Sequence, residues 1–242
     1  PEISALLSPA IADASNLNVL MVLRFLTGLG LGAAVPLAVV IVNEFAPKRR
    51  RAAMVTLMES LKEYFGTAAS VVGPGLKTGM PILYENPLEV GADRITAAVA
   101  AFEKYGGPAI VVDFGTATTF DAVSAKGEYL GGAIAPGIQI AAEALYLKTA
   151  RLPRIEIKKP KRAIGRTTVS SMQAGLYFGY IGLVTNTIEE IRKELGKNAR
   201  VVATGGFGSQ IAAELPAIEA YEPDLVLEGL RIIHERNRDA KP

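Results

Sequence analysis

The chain has 242 residues, 26 basic and 24 acidic, for a formal net charge of +2; so close a balance excludes the clustered cationic face of a general nucleic-acid binder. Half of the residues are hydrophobic and the mean hydropathy is +0.27, enough to bury a sizeable core and to exclude disorder as a class. With no Cys and a single His, disulfide frameworks, thiolate nucleophiles and Cys- or His-built zinc sites are excluded as well.

The averages conceal a division. Residues 1–43 hold only three charged side chains, Glu2, Asp13 and Arg24. From Leu17 to Asn43 the chain is apolar over a length that meets the need for about 20 such residues in a membrane span. Small residues at Gly28, Gly30, Gly32, Ala33 and Ala34 suit close helix packing. The basic run Lys48 to Arg51 follows, which on a membrane-spanning reading places the remainder in the cytoplasm. A buried core helix broken at Pro36 is the soluble alternative. RFLTGLGLGAAVP (Arg24 to Pro36) with NEFAPKRRRAAMVTLM (Asn43 to Met58) resembles a transmembrane helix and loop of major facilitator transporters, over residues 15–58. On the membrane-spanning reading the chain associates with a membrane through residues 19–42.

Beyond Tyr64 the pattern is that of an α/β protein. Ser70-Val71-Val72, Ala109 to Val112 and Arg200 to Ala203 are β-branched or apolar runs ended by Gly, Asp or Thr-Gly and are predicted as strands. Asp93 to Tyr105 and Ser170 to Leu195 carry helical periodicity, with Gly196 as a stop. Gly73 to Pro87 is predicted as a loop. Within it Gly73 to Thr78 has the ingredients of a P-loop, but Leu76 stands where a glycine must precede the lysine, so a Pro/Gly turn is the better reading. Lys158 to Arg162 is predicted to be a solvated loop.

Three segments carry chemistry. In Ile110 to Thr119 a buried strand delivers Asp113 to its carboxyl end, and Gly115 lets Thr hydroxyls and backbone N–H groups converge, as phosphate oxygens or a hydrated cation require. The same residues could equally form an Asx-type turn. Gly91-Ala92-Asp93-Arg94 opens a helix. There Asp93 is either an N-cap carboxylate or a base for a substrate hydroxyl, with Arg94 on the surface or on an anionic substrate. Thr204-Gly205-Gly206 ends a strand in glycines that admit a close ligand.

In this order, and with Leu83 to Pro87, Gly131 to Gly137 and Thr167 to Gly175, these segments closely resemble type III pantothenate kinase over residues 64–242. The resemblance implies an α/β, actin/hexokinase-like ATPase fold of ribonuclease-H-like type, with an incomplete first domain behind the N-terminal hydrophobic segment. Residues 1–60 are then the transporter-like segment and basic linker, 61–90 the remnant of the first kinase domain, and 91–242 the second α/β domain. It implies ATP-dependent phosphorylation of pantothenate, the first step of coenzyme A biosynthesis, in the cytoplasm.

The resemblance also assigns residues. Asp93 is the catalytic base. Tyr84, Gly91, Ala92 and Arg94 line the pantothenate pocket, completed by Thr168 of the partner subunit in a homodimer. Asp113 binds a monovalent cation, potassium or ammonium. Thr116 meets the phosphates of ATP, Gly205 and Gly206 meet the adenosine, and magnesium accompanies the ATP. The family's D-x-G-N-T phosphate loop has no match in residues 1–63, so weakened phosphate binding is expected. The alternative is a noncatalytic or membrane-tethered fusion remnant.

Overall fold

A computed structural model describes residues 75–238, together with 62–63, 66 and 70–73. Helix α1 spans Ala92–Tyr105, preceded by a 3-10 turn at Pro87–Glu89. Strands β1 (Ala109–Phe114), β2 (Ala117–Val123) and β3 (Tyr129–Pro136) follow, then helices α2 (Ile138–Lys148) and α3 (Thr168–Leu195). Strand β4 (Arg200–Thr204), the short helix α4 (Gly208–Ile211), β5 (Ala220–Tyr221) and helix α5 (Leu225–Arg238) complete the order.

The five strands form one mixed sheet in the order β3-β2-β1-β4-β5. The first three are antiparallel neighbours joined by short turns, whereas β4 and β5 run parallel to β1. The long crossover through α2 and α3 is what allows β4 to lie parallel beside β1, since parallel neighbours cannot be joined by a hairpin. This arrangement is compatible with an ATPase-like α/β fold.

Strand alternation explains the layers. On β1, Ala109 and Val111 face a core shared with α1 and α5, while Ile110, Val112 and Phe114 face a second core against α3. On β4, Val202 joins the first core and Val201 and Ala203 the second. A sheet buried on both sides is why these strands read as continuous apolar runs. Helices α1 and α5 pack so closely that a Cβ on Gly229 would overlap the carbonyl oxygen of Thr96.

The predicted helices form with nearly the expected limits, and Gly196 is the C-cap of α3. Two expectations are corrected. Ser70 to Val72 is not a strand: residues 70–73 are irregular, and Val72 is buried in the α1/α5 core rather than paired in the sheet. Glycines at 73 and 75 follow at once, and the sheet's β3 edge is instead met by Ile82, which bridges to Tyr129. The N-cap of α1 is Gly91, so Asp93 lies inside the first turn.

The apolar segment 17–43 and the membrane association assigned to residues 19–42 lie outside the described residues. Among the described residues no helix is long and apolar enough to cross a membrane.

Candidate active site

Because β1 and β4 are parallel neighbours, their carboxyl ends open at the same edge, with Asp113 paired to Thr204. In open α/β sheets this edge is where ligands bind. Helix α1 runs back along the sheet into β1, which brings its first turn, and Asp93, to the same edge. Asp93 Oδ1 accepts the backbone N–H of Arg94 at 2.8 Å, using one of the unpaired donors of a helix start.

Asp113 is half-buried. Burial pushes its carboxyl up to about 6, with the negative charges of Asp93 and Asp121 adding to the shift. That repulsion itself shows that the three carboxylates share one electrostatic neighbourhood. Thr116 sits exposed at the tip of the two-residue turn joining β1 to β2, and its carbonyl accepts the N–H of Gly137 at 3.2 Å.

At the end of β4, Gly205 has φ of +91°. Its carbonyl accepts the Tyr221 hydroxyl at 3.0 Å, which fixes the glycine turn against β5. Beside it a cavity of about 310 Å³ is lined by Phe114, Gly115, Ile138, Gln139, Tyr180, Gly206 and Phe207. Its walls offer aromatic faces and backbone, suited to a flat heteroaromatic group. Tyr180 projects from α3 and shares a 2.5 Å hydrogen bond with the buried hydroxyl of Thr118.

The other side of the site is a buried polar cluster. Arg94 donates from Nε at 2.8 Å and from a terminal nitrogen at 2.7 Å to Oδ1 of Asp121. Tyr129 donates its hydroxyl to the same oxygen at 2.7 Å, and Thr119 donates to Oδ2 at 3.1 Å. Burial pushes Asp121 up, while Arg94, Tyr129 and Thr119 pull it back. For Arg94 burial opposes the charge, but the Asp121 carboxylate outweighs it and holds the guanidinium protonated. Tyr84 lies over Gly131 beside this cluster.

The structure thus brings Asp93, Arg94, Gly91, Ala92 and Tyr84 together on one flank, and Asp113, Thr116, Gly205 and Gly206 on the other. Arg94 is buried, against the surface position that local sequence allowed, and its charge is matched by Asp121. Thr168 is exposed at the start of α3, and among the described residues no hydrogen bond joins it to the Asp93 cluster. Asp121, Tyr129 and Tyr180 are site residues that the sequence does not single out for the site, whereas Thr118 lies within the Ile110 to Thr119 segment and Phe207 directly follows Gly206. Asp121 stands as a lone carboxylate between the apolar Phe120 and Ala122, and its role emerges only with the buried Arg94 beside it. Among the described residues no group of three or more His, Cys, Asp or Glu side chains is assembled to hold a metal ion.

The family model described as type III pantothenate kinase matches residues 45–190, more than half of the chain and both flanks of this site except the glycine turn. The chain belongs to the type III pantothenate kinase family. Relatives bearing that name agree over most of their length. The Koribacter versatilis protein is 58% identical over 183 residues, covering 76% of this chain and 67% of that one. The Moorella thermoacetica protein is 58% identical over 181 residues, covering 75% and 71%, and the Syntrophotalea carbinolica protein 54% over 200, covering 82% and 76%.

As a member of a kinase family the chain is a phosphotransferase, and the noncatalytic alternative is not favoured. The family match begins at residue 45, inside the stretch that resembles a transporter, and that transporter resemblance finds no support. In fold, the chain is similar to a Campylobacter jejuni protein described as a conserved Baf family transcriptional activator. The TM-score is 0.55 at 20% identity, with 80% of this chain and 81% of that one covered.

Proposed function

We propose that the chain transfers the γ-phosphoryl group of ATP to the hydroxyl of pantothenate, the first step of coenzyme A biosynthesis. The observation that supports it is the convergence, within the segment matched by the family, of Asp93 and Asp113 at the carboxyl edge of β1 and β4.

In this reading the hydroxyl oxygen of pantothenate attacks the γ-phosphorus, its proton passes to Asp93, and ADP leaves. Asp93 is suited to the role because its carboxylate is partly exposed and is oriented by the Arg94 N–H. Tyr84, Gly91, Ala92 and Arg94 form the wall that holds pantothenate. Thr116 on its exposed turn meets the phosphates. Gly206 borders the cavity that takes the adenosine, and Gly205 precedes it in the same turn. Phosphoryl transfer asks chiefly for positioning and charge neutralisation, which this set supplies without His or Cys.

A monovalent cation fits Asp113 on the structure's own terms. A half-buried carboxylate with two acidic neighbours, pushed up to about 6, carries at neutral pH a partly desolvated negative charge that positive charge placed beside it would stabilise. A potassium or ammonium ion bound there would supply that charge near the phosphates, while magnesium would arrive with ATP.

The homodimer is supported by α3. Its core face carries Tyr177, Tyr180, Val184 and Ile188, all buried. The opposite face, by helical spacing, carries Thr168, Ser171, Gly175, Phe178, Gly179 and Gly182, all exposed. That face would deliver Thr168 of the partner subunit to the pantothenate wall. We read residues 61–90 as the end of the first domain and 91–242 as the second, and the cytoplasm, where ATP is supplied, as the site of action.

The test is ADP release from ATP with magnesium. It should require both pantothenate and potassium or ammonium. Turnover with pantothenate that is indifferent to the monovalent cation would remove the role of Asp113, and no pantothenate-dependent release would remove the function.

A further inference from the structure

The most heavily bonded carboxylate at the site is one for which the reaction itself has no use. Asp121 is 1% exposed and sits in the middle of β2, opposite Val111 on one side and Gly132 on the other. Its two oxygens accept four donors, two from Arg94 and one each from Tyr129 and Thr119. A buried carboxylate satisfied so completely is a fixed point of the fold, because removing any donor leaves charge desolvated and unpaired. Arg94 also lies over the Tyr129 ring, its guanidinium carbon 5.9 Å from the ring centre, so the side chain is held by a face as well as by its edges.

What Arg94 is attached to gives this anchoring its purpose. Its backbone N–H is the donor to Asp93 Oδ1. The side chain of one residue is thus tied to the sheet while its main chain orients the neighbouring carboxylate. We infer that Asp121 is a positioning residue for phosphoryl transfer, locking Arg94 to β2 and through Arg94 the first turn of α1 that carries Asp93. This inference rests on the proposed role of Asp93 as the base. It requires Asp121 to touch no substrate and to act mainly on kcat.

The experiment compares the full chain with Asp121→Asn, which keeps the shape but replaces one accepting oxygen by a donor. A displacement of about 1 Å at a reacting group costs on the order of a hundredfold in rate. The expected result is a fall in kcat of about that size with a smaller change in the KM for pantothenate. Arg94→Met, which also removes a residue of the pantothenate wall, should lower kcat at least as far and raise the KM for pantothenate, and the double variant should be no worse than Arg94→Met alone, since the Asp121 link is already broken in it. The Arg94 Nε–H resonance in a nitrogen-labelled sample should be protected from exchange in the native protein and lose that protection in Asp121→Asn. This readout needs no turnover, so it stands even if pantothenate proves not to be the substrate. If Asp121→Asn does not fold, Tyr129→Phe removes one donor from the same oxygen and should lower kcat more than it raises KM. Unchanged kcat in a folded variant, an effect confined to KM, or fully additive losses in the double variant would each overturn the inference.

Discussion

Gly205 and Asp113 meet without room for a side chain between them: a Cβ on Gly205 would overlap Oδ1 of Asp113 and stand 2.7 Å from the backbone of Phe114. The end of β4 thereby closes directly over the carboxylate at the end of β1. With φ of +91° the position is also one that L side chains rarely adopt.

Gly205→Ala should therefore destabilise the protein by about 1–3 kcal/mol through backbone strain alone, with overlap adding to it. Activity should fall with it, because the displaced atom belongs to the proposed cation ligand. Urea unfolding measures the first effect and ADP release the second. A variant as stable and active as the parent would show that this contact does not shape the site.

The shift on Asp113 carries a pH dependence with a definite sign. Its folded-state value, about 6, exceeds the ordinary 3.8, so between those values the native protein binds more protons than the unfolded chain. Stability therefore falls as pH rises through that window and does not recover above it. Asp113→Asn, which removes the buried charge, should raise the Tm of the ligand-free protein above pH 6 while abolishing turnover. Below pH 3.8 the two proteins should differ little in Tm from this cause. A lower Tm for the variant above pH 6 would contradict the electrostatic account.

How much of this was legible in the chain depends on where each partner lies. Helix α1 and helix α3 show in sequence because their apolar spacing is local, and β1 and β4 because burial on both sides makes them continuously apolar. Strands β2 and β3 escape notice for the opposite reason. Thr118, Thr119 and Asp121 interrupt β2, and Gly131 and Gly132 lower the strand propensity of β3, so only pairing with β1 makes them strands. Ser70 to Val72 has the composition of a strand but no such pairing. Asp93 and Asp113 stand at element ends that the chain announces. Asp121 does not, since its meaning comes from Arg94, 27 residues earlier and across the sheet.

Tyr180 joins α3 to the cavity wall through Thr118, whose side chain is fully buried. Tyr180→Phe leaves that hydroxyl without its partner and should cost about 1–3 kcal/mol in unfolding free energy. Because Tyr180 also lines the cavity beside Gly206, the KM for ATP should rise more than that for pantothenate. Equal effects on both substrates would place the cavity's role elsewhere.

The exposed face of α3 makes a prediction about assembly. Phe178 is 41% exposed at its centre, and Phe178→Glu would set a charge into any interface formed there. Sedimentation should show the parent as a dimer and the variant shifted toward monomer, with turnover lost as Thr168 of the partner subunit leaves the site. A dimer unaffected by the change would move the interface off this helix.

The central claim is that Asp93 removes the proton from pantothenate as the phosphoryl group is transferred. The most direct measurement is single-turnover formation of phosphopantothenate by the parent and by Asp93→Asn, at saturating ATP, magnesium, potassium and pantothenate. The account predicts a rate reduced by about 100-fold or more, with pantothenate and ATP still bound. An Asp93→Asn rate equal to that of the parent would contradict it.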